Sequence, residues 1–480
     1  MNELPNGWAP ATLGQVCDRG KYGWTTRAAG NGSVKFLRTT DITKGPINWA
    51  NVPYCEEAPS DMEAYGLKPR DILISRAGSV GFSALIDEVK EPSVFASYLI
   101  RFVPAREVDA RYLASFLRSP DYWRQIGEAS AGIALANVNA SKLAEVELPL
   151  APLAEQKRIA DKLEAVLGRV DACRARLDRV PALLKRFRQS VLAAATSGQL
   201  TENWRTQHSD ENAIGLIKCA AASRHHLYKD YSPNSDLPLH EIPDSWAWAS
   251  LRFILSPDEA FCYGVVQPGE NDPSGSLLIR AGDLVGGRVD FSELRRIPRV
   301  VHEDYHRSQL KGGEVLVTVV GAGIGTTAIA QPECAGCNIA RAVAKLPIRD
   351  FNAQFVHCWL STSRALSWLK HESREVARPT LNLEQLQKLP VPIPPLAEQA
   401  EIVRRVEALF AFADRIEARL TAARAQVERL TPATLAKAFR GELVPQDPAD
   451  EPASALLERL RHPSTASATP AKRGKRAKSV

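Results

Sequence analysis

Asp71, Glu88 and Lys90 have the residue types, and loosely the spacing, of a metal-dependent nuclease site. Two carboxylates with a nearby lysine can hold Mg²⁺ and stabilise the hydrolysis of a phosphodiester. The second half of the chain carries Glu314 at the position of Asp71, but it has no matching Glu-x-Lys. A self-sufficient Mg²⁺-dependent nuclease is therefore an alternative that these three residues alone support.

Four other residues could on paper bind zinc. Cys334 and Cys337 form a CxxC pair, and His357 and Cys358 follow about 20 residues later. The corresponding part of the first half, EPSVFAS at 91–97, contains no cysteine. The eight cysteines are too scattered for a disulfide scaffold, and a reducing compartment would keep them as thiols. We therefore predict no metal site and no catalytic residues.

The glycine-rich stretch GAGIGTT at 321–327 could suggest a nucleotide-binding loop. It lacks the GxGxxG spacing, and the residues that follow it are typical of a strand rather than a helix. We interpret it as a tight turn. The sequence also contains no GxxxxGK[ST] phosphate loop and no NPPY-like tetrad of an amino-methyltransferase.

A repeat organises the chain that must position any functional residues. The stretch PLAEQ occurs at 152–156 and again at 395–399, and the ungapped segments 152–200 and 395–443 share 19 identical residues among 49. A separation of 243 residues is too long for a solenoid unit, so each repeat must contain a whole domain. A length of 480 residues agrees with two or more globular domains.

Each copy of the repeat has the pattern of a long helix with a narrow apolar stripe. Apolar residues recur at alternating steps of four and three, which is the spacing of a coiled-coil seam. Such a helix needs a partner, and the other copy is the simplest one. From Leu153 to Thr196 the first helix would be roughly 65 Å long, with a kink or break at Pro181, where the second copy has Arg424. The seam residues are Ile159, Leu163, Val166, Val170 and Leu177 in the first copy, and Ile402, Val406, Leu409, Ile416 and Leu420 in the second.

The segments before the two helices are also related, but more weakly. FLRTTDI at 36–42 matches LIRAGDL at 278–284, and LKPRDILISRAGSVG from Leu67 matches LKGGEVLVTVVGAGIG from Leu310. Short β-branched runs bounded by glycine predict strands, and the helical patterns that follow them indicate mixed α/β (α+β) domains. The predicted parts are a first globular domain at 1–151, a central helix at 152–200, a linker with a short helix at 201–241, a second globular domain at 242–394, a second long helix at 395–443, and a short helix with a basic disordered tail at 444–480.

The net charge of +6 comes mainly from the tail, because Lys472, Arg473, Lys475, Arg476 and Lys478 account for five positive charges. The rest of the chain is close to neutral, so contact with DNA would need local clusters of basic residues. No run approaches the roughly 18 apolar residues of a membrane span, and the first residues do not resemble a signal peptide. We therefore expect a cytoplasmic protein without a membrane partner.

These motifs together make the chain similar to the DNA-specificity subunit of prokaryotic type I restriction-modification systems. The most specific parts are the two PLAEQ helices, their endings AAATSGQL and KAFRGEL, and the strand motifs RTTDI and RAGDL. The resemblance implies two target-recognition domains, each reading one half of a bipartite site in double-stranded DNA. It also implies a pseudo-two-fold circular arrangement in which the repeated helices pack antiparallel and act as a ruler.

The resemblance also implies partners and a division of labour. Methyltransferase subunits, two in number, would dock on the helices, and restriction endonuclease and translocase subunits would join the larger complex. S-adenosylmethionine, ATP and Mg²⁺ would be bound by those partner subunits and not by this chain. Asp71 takes the place of an acid in a structural turn.

Side chains that could read DNA are Arg, Lys, Asn, Gln and Tyr on loops, which a rigid scaffold can present to the major groove. The loop at 19–33 and its counterpart after Phe261 supply most of the candidates. Arg38 and Arg280 stand beside Asp41 and Asp283, so an internal ion pair is as plausible for them as contact with DNA. The candidates are Arg19, Lys21, Tyr22, Arg27, Arg38, Arg76 and Tyr98 in the first domain, and Tyr263, Gln267, Asn271, Arg280 and Arg341 in the second.

The repeat extends beyond the long helices, because Ala213, Leu216 and Ile217 match Ala453, Leu456 and Leu457. In a circular arrangement the last short helix would lie near the start of the first domain, beside Leu4. The main alternative from another class is a coiled-coil scaffold whose globular domains bind protein rather than DNA. The near-neutral charge of the folded part is its best support.

Overall fold

The computed structural model describes residues 3–43, 45–130, 137–222, 239–372 and 380–462. The chain divides into two compact units, one formed by Met1–Asp178 with Thr421–Val480 and the other by Arg179–Leu420. We call them unit 1 and unit 2. The basic tail lies outside the described residues.

The first part of unit 1 is a mixed α/β domain followed by a long helix. Its strands are β1 (Ala9–Thr12), β2 (Lys21–Tyr22), β3 (Ala28–Ala29), β4 (Lys35–Leu37), β5 (Tyr54–Cys55), β6 (Ile72–Ser75), β7 (Ser83–Leu85), β8 (Ser93–Phe95), β9 (Leu99–Phe102) and β10 (Glu147–Leu150). Its helices are α1 (Leu13–Val16), α2 (Thr39–Ile42), α3 (Met62–Tyr65), α4 (Ala110–Phe116), α5 (Pro120–Ser130), α6 (Ala140–Ala144) and α7 (Leu153–Leu177), with a 3₁₀ turn at Trp49–Asn51.

Unit 2 begins with a helix and contains the second mixed domain. Its α-helices are α8 (Val180–Thr196), α9 (Glu202–Arg205), α10 (Ala213–Ala222), α11 (Leu251–Ile254), α12 (Arg299–Asp304), α13 (Ala353–Leu360), α14 (Ser363–Glu372) and α15 (Leu383–Gln387). The strands are β11 (Ala247–Ser250), β12 (Cys262–Tyr263), β13 (Ser276–Ile279), β14 (Leu284–Val285), β15 (Arg288–Val289), β16 (Arg295–Ile297), β17 (Val315–Thr318), β18 (Thr327–Ile329), β19 (Asn338–Ile339), β20 (Val343–Leu346) and β21 (Pro390–Ile393). Short 3₁₀ turns lie at Gln199–Thr201, Ala281–Asp283, His306–Ser308 and Pro332–Cys334.

Two further helices complete the chain: α16 (Leu396–Phe439) and α17 (Ala453–Arg461). The boundary between the units falls within α16, so its first part belongs to unit 2 and its last part to unit 1. None of the described helices is both long and apolar enough to cross a membrane.

The two domains share a sheet plan with two differences, because the described part of the second domain adds two strands to one sheet and has no counterpart of β3 in the other. In the first domain one sheet has the order β2-β9-β6-β7 and another the order β3-β5-β4-β8. In the second domain the corresponding strands run β12-β20-β17-β18 and β16-β13-β19. The second domain extends its larger sheet with β15 and β14, which pair antiparallel with each other. In both domains a small antiparallel pair, β1 with β10 or β11 with β21, lies at the root of the domain, next to its long helix.

The long helices are paired antiparallel within each unit. In unit 1 Arg174 of α7 binds Glu428 of α16 at 2.8 Å, and in unit 2 Arg188 of α8 binds Asp414 at 2.7 Å. Of the ten seam residues, six are buried (Ile159, Leu163, Val170, Ile402, Val406 and Leu420), and four are half-buried (Val166, Leu177, Leu409 and Ile416). Cys173 and Leu430 continue the same spacing but are exposed.

The break predicted at Pro181 is present, and α16 has no equivalent break. Helix α7 ends at Leu177, and α8 begins at Val180 with the proline in its first turn, where a missing N–H costs nothing. Arg424, at the position of Pro181 in the other copy, donates to Asp178 Oδ1 at 2.9 Å. Arg424 also donates to the Leu177 carbonyl at 3.4 Å. It therefore gives a hydrogen-bond partner to a carbonyl at the C-terminal end of α7, where intrahelical donors are lacking.

The short helices after the repeat pack where the circular arrangement predicted. Leu456 and Leu457 of α17 belong to the core that contains Trp8, and Leu4 packs against that core. The Ala453 N–H donates to the Gly7 carbonyl at 2.8 Å. In unit 2 the Ala213 N–H donates in the same way to the Ser245 carbonyl at 2.8 Å. Each globular domain therefore begins against a short helix from elsewhere in the sequence.

Candidate nucleic-acid interface

The repeated glutamate and glutamine of PLAEQ attach each long helix to its globular domain. In unit 1 the Trp8 Nε1–H donates to Glu155 Oε2 at 2.9 Å. Gln156 accepts from the Asp109 N–H at 3.0 Å and donates to the Ala151 carbonyl at 2.8 Å. Both side chains are buried. The motif is thus a clamp that fixes the direction in which the helix leaves the domain, and we call it the EQ clamp.

Unit 2 repeats the EQ clamp with equivalent partners. The Trp246 Nε1–H donates to Glu398 Oε2 at 2.8 Å. Gln399 accepts from the Asn352 N–H and donates to the Pro394 carbonyl, each at 2.9 Å. The sequence contained a signal for this contact, since LP-x-x-W and IP-x-x-W open the two domains, with their tryptophans 147 and 152 residues before the glutamate of PLAEQ. Sequence reasoning found the repeat but missed the bond between the tryptophan and the glutamate.

The two EQ clamps differ in how the carboxylate is compensated. Glu398 Oε1 accepts from Thr201 Oγ1 and from Arg205 Nη1, both at 2.6 Å. Glu155 Oε1 is buried without a hydrogen-bond partner among the described residues. Burial raises the pKa of Glu155, although the bond from Trp8 lowers it in part.

Glycine and proline join the end of each repeat to the start of a domain. Gly198 and Gly441 have φ of +83° and +75°, the left-handed conformation that ends helices. A methyl group on Gly198 would lie 2.4 Å from Pro243 Cγ, and one on Gly441 would lie 2.5 Å from Pro5 Cγ. The two ends of each globular domain are therefore held on the helices, which leaves the sheet edges to present other side chains.

In the first domain, three of the candidate residues meet at one end of the β2-β9-β6-β7 sheet. The Arg76 N–H donates to the Tyr98 carbonyl at 2.9 Å, and the Arg76 guanidinium lies 4.9 Å from the centre of the Tyr22 ring. Tyr22 accepts a bond from the Ala140 N–H at 3.1 Å. Tyr98 is 62% exposed. This arrangement places the Arg76 guanidinium against the Tyr22 ring, next to the exposed residue Tyr98, which Arg76 meets through the backbone.

Three further basic candidates of the first domain lie on the loop at 19–33. The Lys21 ammonium lies 5.1 Å from the centre of the Tyr65 ring. Arg19 and Arg27 are exposed, and neither makes an ion pair with another described residue. Arg19 and Arg27 are placed where they could contact either DNA phosphates or base edges, and their geometry does not favour one over the other.

Arg38 and Arg280 form the internal ion pairs that were the alternative to DNA contact. The Arg38 guanidinium makes a two-pronged pair with Asp41, with Nη2 and Oδ1 3.0 Å apart. Arg280 does the same with Asp283 at 3.0 Å. Both arginine side chains remain partly exposed, so contact with DNA stays a prediction for them.

The candidates of the second domain are distributed differently. Tyr263 occupies the place of Tyr22 and donates to the Leu381 carbonyl at 3.3 Å. Gln267 and Asn271 are exposed, and Asn271 accepts from the Arg296 N–H at 3.0 Å. Arg341 is exposed at the turn before β20. The structure does not gather these four residues into a cluster like the one in the first domain.

Strand registers show how the two surfaces correspond. The pairing of Ser75 with Leu99 matches that of Thr318 with Val343. Arg76 therefore corresponds to Val319, and Tyr98 corresponds to Ala342, whose carbonyl accepts from the Val319 N–H at 2.9 Å. Ser97 in turn corresponds to Arg341. The same backbone positions thus carry different chemistry in the two domains.

A glycine lets the strand that carries the tyrosine approach the sheet closely in both domains. A methyl group on Gly23 would lie 2.2 Å from the Phe95 carbonyl oxygen, and one on Gly264 would lie 1.7 Å from the Ile339 carbonyl oxygen. Neither distance is compatible with a side chain. The glycine of the shared Tyr-Gly pair at 22–23 and 263–264 is therefore a structural requirement of both globular domains.

The residues that suggested a nuclease are in different environments. Asp71 is buried, accepts from the Lys68 N–H at 2.9 Å and lies 3.5 Å from Arg101. Burial raises the pKa of Asp71. Glu88 and Lys90 are exposed and pair with each other at 3.5 Å. Asp71 serves as the acid of a structural turn, as the resemblance implied.

The cysteine pair is part of the core of the second domain. Cys334 and Cys337 are buried free thiols, and burial raises the pKa of Cys334 to about 12. Within the described ranges there is no group of three or more His, Cys, Asp or Glu side chains that could hold a metal ion. GAGIGTT forms the turn between β17 and β18, with φ of +90° at Gly321 and +87° at Gly325.

Comparison with known sequences identifies related proteins. A family model described as the type I restriction modification DNA specificity domain matches residues 5–181 and 296–423. The Type I restriction enzyme EcoBI specificity subunit of Escherichia coli is 37% identical over 445 residues, which cover 90% of this chain and 87% of that protein.

Two solved structures share the fold. One, from work on the structural basis of complex assembly and conformational transition of the type I R-M system, has a TM-score of 0.59 and 20% identity, and the match covers 92% of this chain and 100% of that chain. The other is the HsdS subunit from Thermoanaerobacter tengcongensis, with a TM-score of 0.54 and 21% identity over 92% of this chain and 98% of that chain.

Proposed function

Since the chain belongs to the family of type I restriction-modification DNA-specificity subunits, we propose that it selects the DNA sequence on which a methyltransferase and restriction complex acts. Each recognition domain reads one half of a bipartite target in double-stranded DNA. The observation that carries this proposal is the pair of matching scaffolds with different side chains at equivalent strand positions, where Arg76 and Tyr98 correspond to Val319 and Ala342. Because Arg76 corresponds to Val319, the two half-sites differ in sequence and the target is asymmetric.

The partners of the chain are DNA, methyltransferase subunits and restriction endonuclease or translocase subunits. Two methyltransferase subunits dock on the helices, one for each recognition domain. The chain itself catalyses no reaction. The bound S-adenosylmethionine, ATP and Mg²⁺ belong to the partner subunits, and the complex works in the cytoplasm. This division of labour rests on the family to which the chain belongs.

A DNA-binding experiment distinguishes the proposed function from the alternative, a coiled-coil scaffold that binds only protein. Specific DNA binding depends on salt, because basic side chains release counterions from the phosphates. A protein-binding scaffold would show no salt-sensitive affinity for duplex DNA. Cleavage of DNA by the isolated chain with Mg²⁺ would instead support the nuclease interpretation.

Methylome sequencing tests the proposed function directly. Cells that carry this chain with its methyltransferase subunits should show an asymmetric, gapped adenine-methylation motif, because each recognition domain reads a different half-site. The motif should vanish in cells that lack only this chain. An unchanged methylome, with the methyltransferase expressed and active, would refute the proposal.

The helices offer a separate prediction about the spacer between the half-sites. Four extra residues lengthen a helix by about 6 Å, which is close to the rise of two base pairs. Inserting four helix-forming residues into both members of a pair, after Asp171 and after Thr431, should lengthen the spacer and leave both half-sites unchanged. The methylated motif of the variant measures this, and an altered half-site sequence would count against the ruler.

A further inference from the structure

We propose that Arg76, held against Tyr22 and flanked by Tyr98, reads a guanine in the half-site that the first recognition domain contacts. The inference rests on the proposed function and assigns one residue of this surface to one kind of base. Arginine binds guanine through two parallel hydrogen bonds to O6 and N7, which is the commonest specific contact in the major groove. We call Tyr22, Arg76 and Tyr98 the reading cluster.

The backbone at Arg76 is fixed by the strand that precedes it. Arg76 directly follows β6, which lies between β9 and β7 in the sheet. Its N–H donates to the Tyr98 carbonyl at 2.9 Å, and its carbonyl accepts from the Val138 N–H at 3.0 Å. A side chain that reads a base must be held to within about 0.5 Å, and a residue anchored on both backbone groups meets that need better than one on the loop at 19–33.

The Arg76 side chain is also restrained. Its guanidinium stacks near the Tyr22 ring, whose hydroxyl is itself held by the Ala140 N–H. Nε lies 3.4 Å from Asn137 Oδ1. The two terminal nitrogens bind no side chain or carbonyl in the part of the chain that the structure describes, so they are available for a base edge. A stacked and oriented guanidinium loses less freedom when it binds than a free one does.

No carboxylate among the described residues neutralises the charge of Arg76. Arg38, Arg101 and Arg111 of the same domain each pair with a carboxylate. Arg76 makes no ion pair with any residue that the structure describes, and its one side-chain acceptor is the neutral amide of Asn137. A cation that is positioned but not paired is suited to an electronegative partner outside the chain, such as guanine O6 and N7.

The second domain lacks the reading cluster. Val319 and Ala342 replace Arg76 and Tyr98, and neither can donate two bonds to a guanine. The inference is therefore limited to one half-site, and this limit provides an internal control. A change at Arg76 must leave the half-site of the second domain untouched.

The test uses the complete complex of this chain with its methyltransferase subunits. Methylation rates are measured on a panel of duplexes in which each base pair of the target is replaced in turn. In the Arg76→Ala variant, discrimination at a single G·C pair of one half-site should fall by roughly 5- to 150-fold. All other positions and the spacer should be unchanged.

Three further variants separate recognition from charge and from folding. Arg76→Lys keeps the charge but not the planar fork, so it should reduce discrimination at the same base pair while the salt dependence of binding stays the same. Tyr22→Leu removes the ring and should weaken discrimination there, whereas Tyr22→Phe should largely retain it. Arg124→Ala, on α5 of the same domain and paired with Glu128 at 3.0 Å, should behave as the wild type.

Two outcomes would overturn the inference while the proposed function stands. Equal weakening for every sequence, with a smaller salt slope in Arg76→Ala, would make Arg76 a phosphate contact. Unchanged discrimination in both Arg76→Ala and Arg76→Lys would remove it from recognition. If the wild-type complex itself shows no sequence preference that depends on this chain, the proposed function fails instead.

Discussion

Replacing Glu398 with glutamine is expected to destabilise unit 2 by about 3–5 kcal/mol, the cost of removing one partner of a buried ion pair. The carboxylate accepts three hydrogen bonds, from Thr201, Arg205 and Trp246, and is fully buried. Glutamine replaces one carboxylate oxygen with an NH2 group, which can only donate. This group would face either the Trp246 indole N–H or the Arg205 guanidinium, and both of these are donors as well. The variant therefore leaves Arg205 without its counter-charge and at least one donor unsatisfied.

The same change at Glu155 is the matched control and should have little effect or stabilise unit 1 at neutral pH. Glu155 uses only one oxygen, toward Trp8, and the amide oxygen of glutamine can replace it. The difference arises from the sequence, because Val444 and Pro448 of the second copy stand where the first copy has Thr201 and Arg205. These residues cannot compensate a carboxylate.

The Glu155 substitution should also change how stability depends on pH. Burial raises the folded pKa of Glu155 above the unfolded value of about 4.3, so the folded state binds the proton more tightly. Its contribution to stability is fully present below the unfolded pKa and is lost as the pH rises through the folded pKa. The advantage of Glu155→Gln over the wild type should therefore grow as the pH rises above about 4.3.

Hydrogen exchange measured by mass spectrometry can follow the two EQ clamps separately. Peptides from the start of α16 should lose protection in Glu398→Gln, and peptides from the start of α7 should keep theirs in Glu155→Gln. Equal losses in the two variants would show that Arg205 does not compensate Glu398 in solution.

Replacing Gly264 with alanine is expected to destabilise the second recognition domain by about 3 kcal/mol or more. The added methyl group would lie 1.7 Å from the Ile339 carbonyl oxygen and 2.2 Å from its carbon. Because these are backbone atoms, no side chain can move aside to make room. The chain after β12 must then separate from the end of β19, next to the turn that carries Arg341 and joins the two sheets.

Gly282→Ala is the control for this prediction, since a methyl group there meets nothing within 4 Å. Thermal unfolding should show a lower midpoint for Gly264→Ala and an unchanged midpoint for Gly282→Ala. In the methylation assay Gly264→Ala should lose activity on the intact target. A wild-type midpoint for Gly264→Ala would mean that the close approach of β12 is absent in solution.

The frame of the molecule could be predicted from sequence because it is repeated. Two copies of PLAEQ with a heptad pattern predicted a pair of long helices, and Pro181 predicted the interruption that lies between α7 and α8. The match between Leu456 and Leu216 extended the repeat to the last short helix, which a circular arrangement places near the start of the first domain. Leu456 lies in the same core as Trp8. The Arg38–Asp41 ion pair could also be predicted, because its members are only three residues apart in the sequence.

The candidate surface could be predicted only as a set of residue types. Tyr22, Arg76 and Tyr98 are separated by many residues, and they meet only because β2 and β6 both pair with β9. A shift of one residue in either register would point these side chains to the other face of the sheet. The compensation of Glu398 by Arg205 was hidden for the same reason, since the two residues are 193 positions apart.

The division of the chain into units determines the order in which they can fold during synthesis. Unit 2 is one continuous segment, whereas the core of unit 1 needs Phe439, which packs on Tyr112 at 5.2 Å between ring centres, and Leu456. A ribosome adding roughly 5–20 residues per second takes about 15–55 s to proceed from Asp178 to Leu456. The recognition domain that is translated first is therefore completed last, and until then its unfinished apolar surface is open to chaperones.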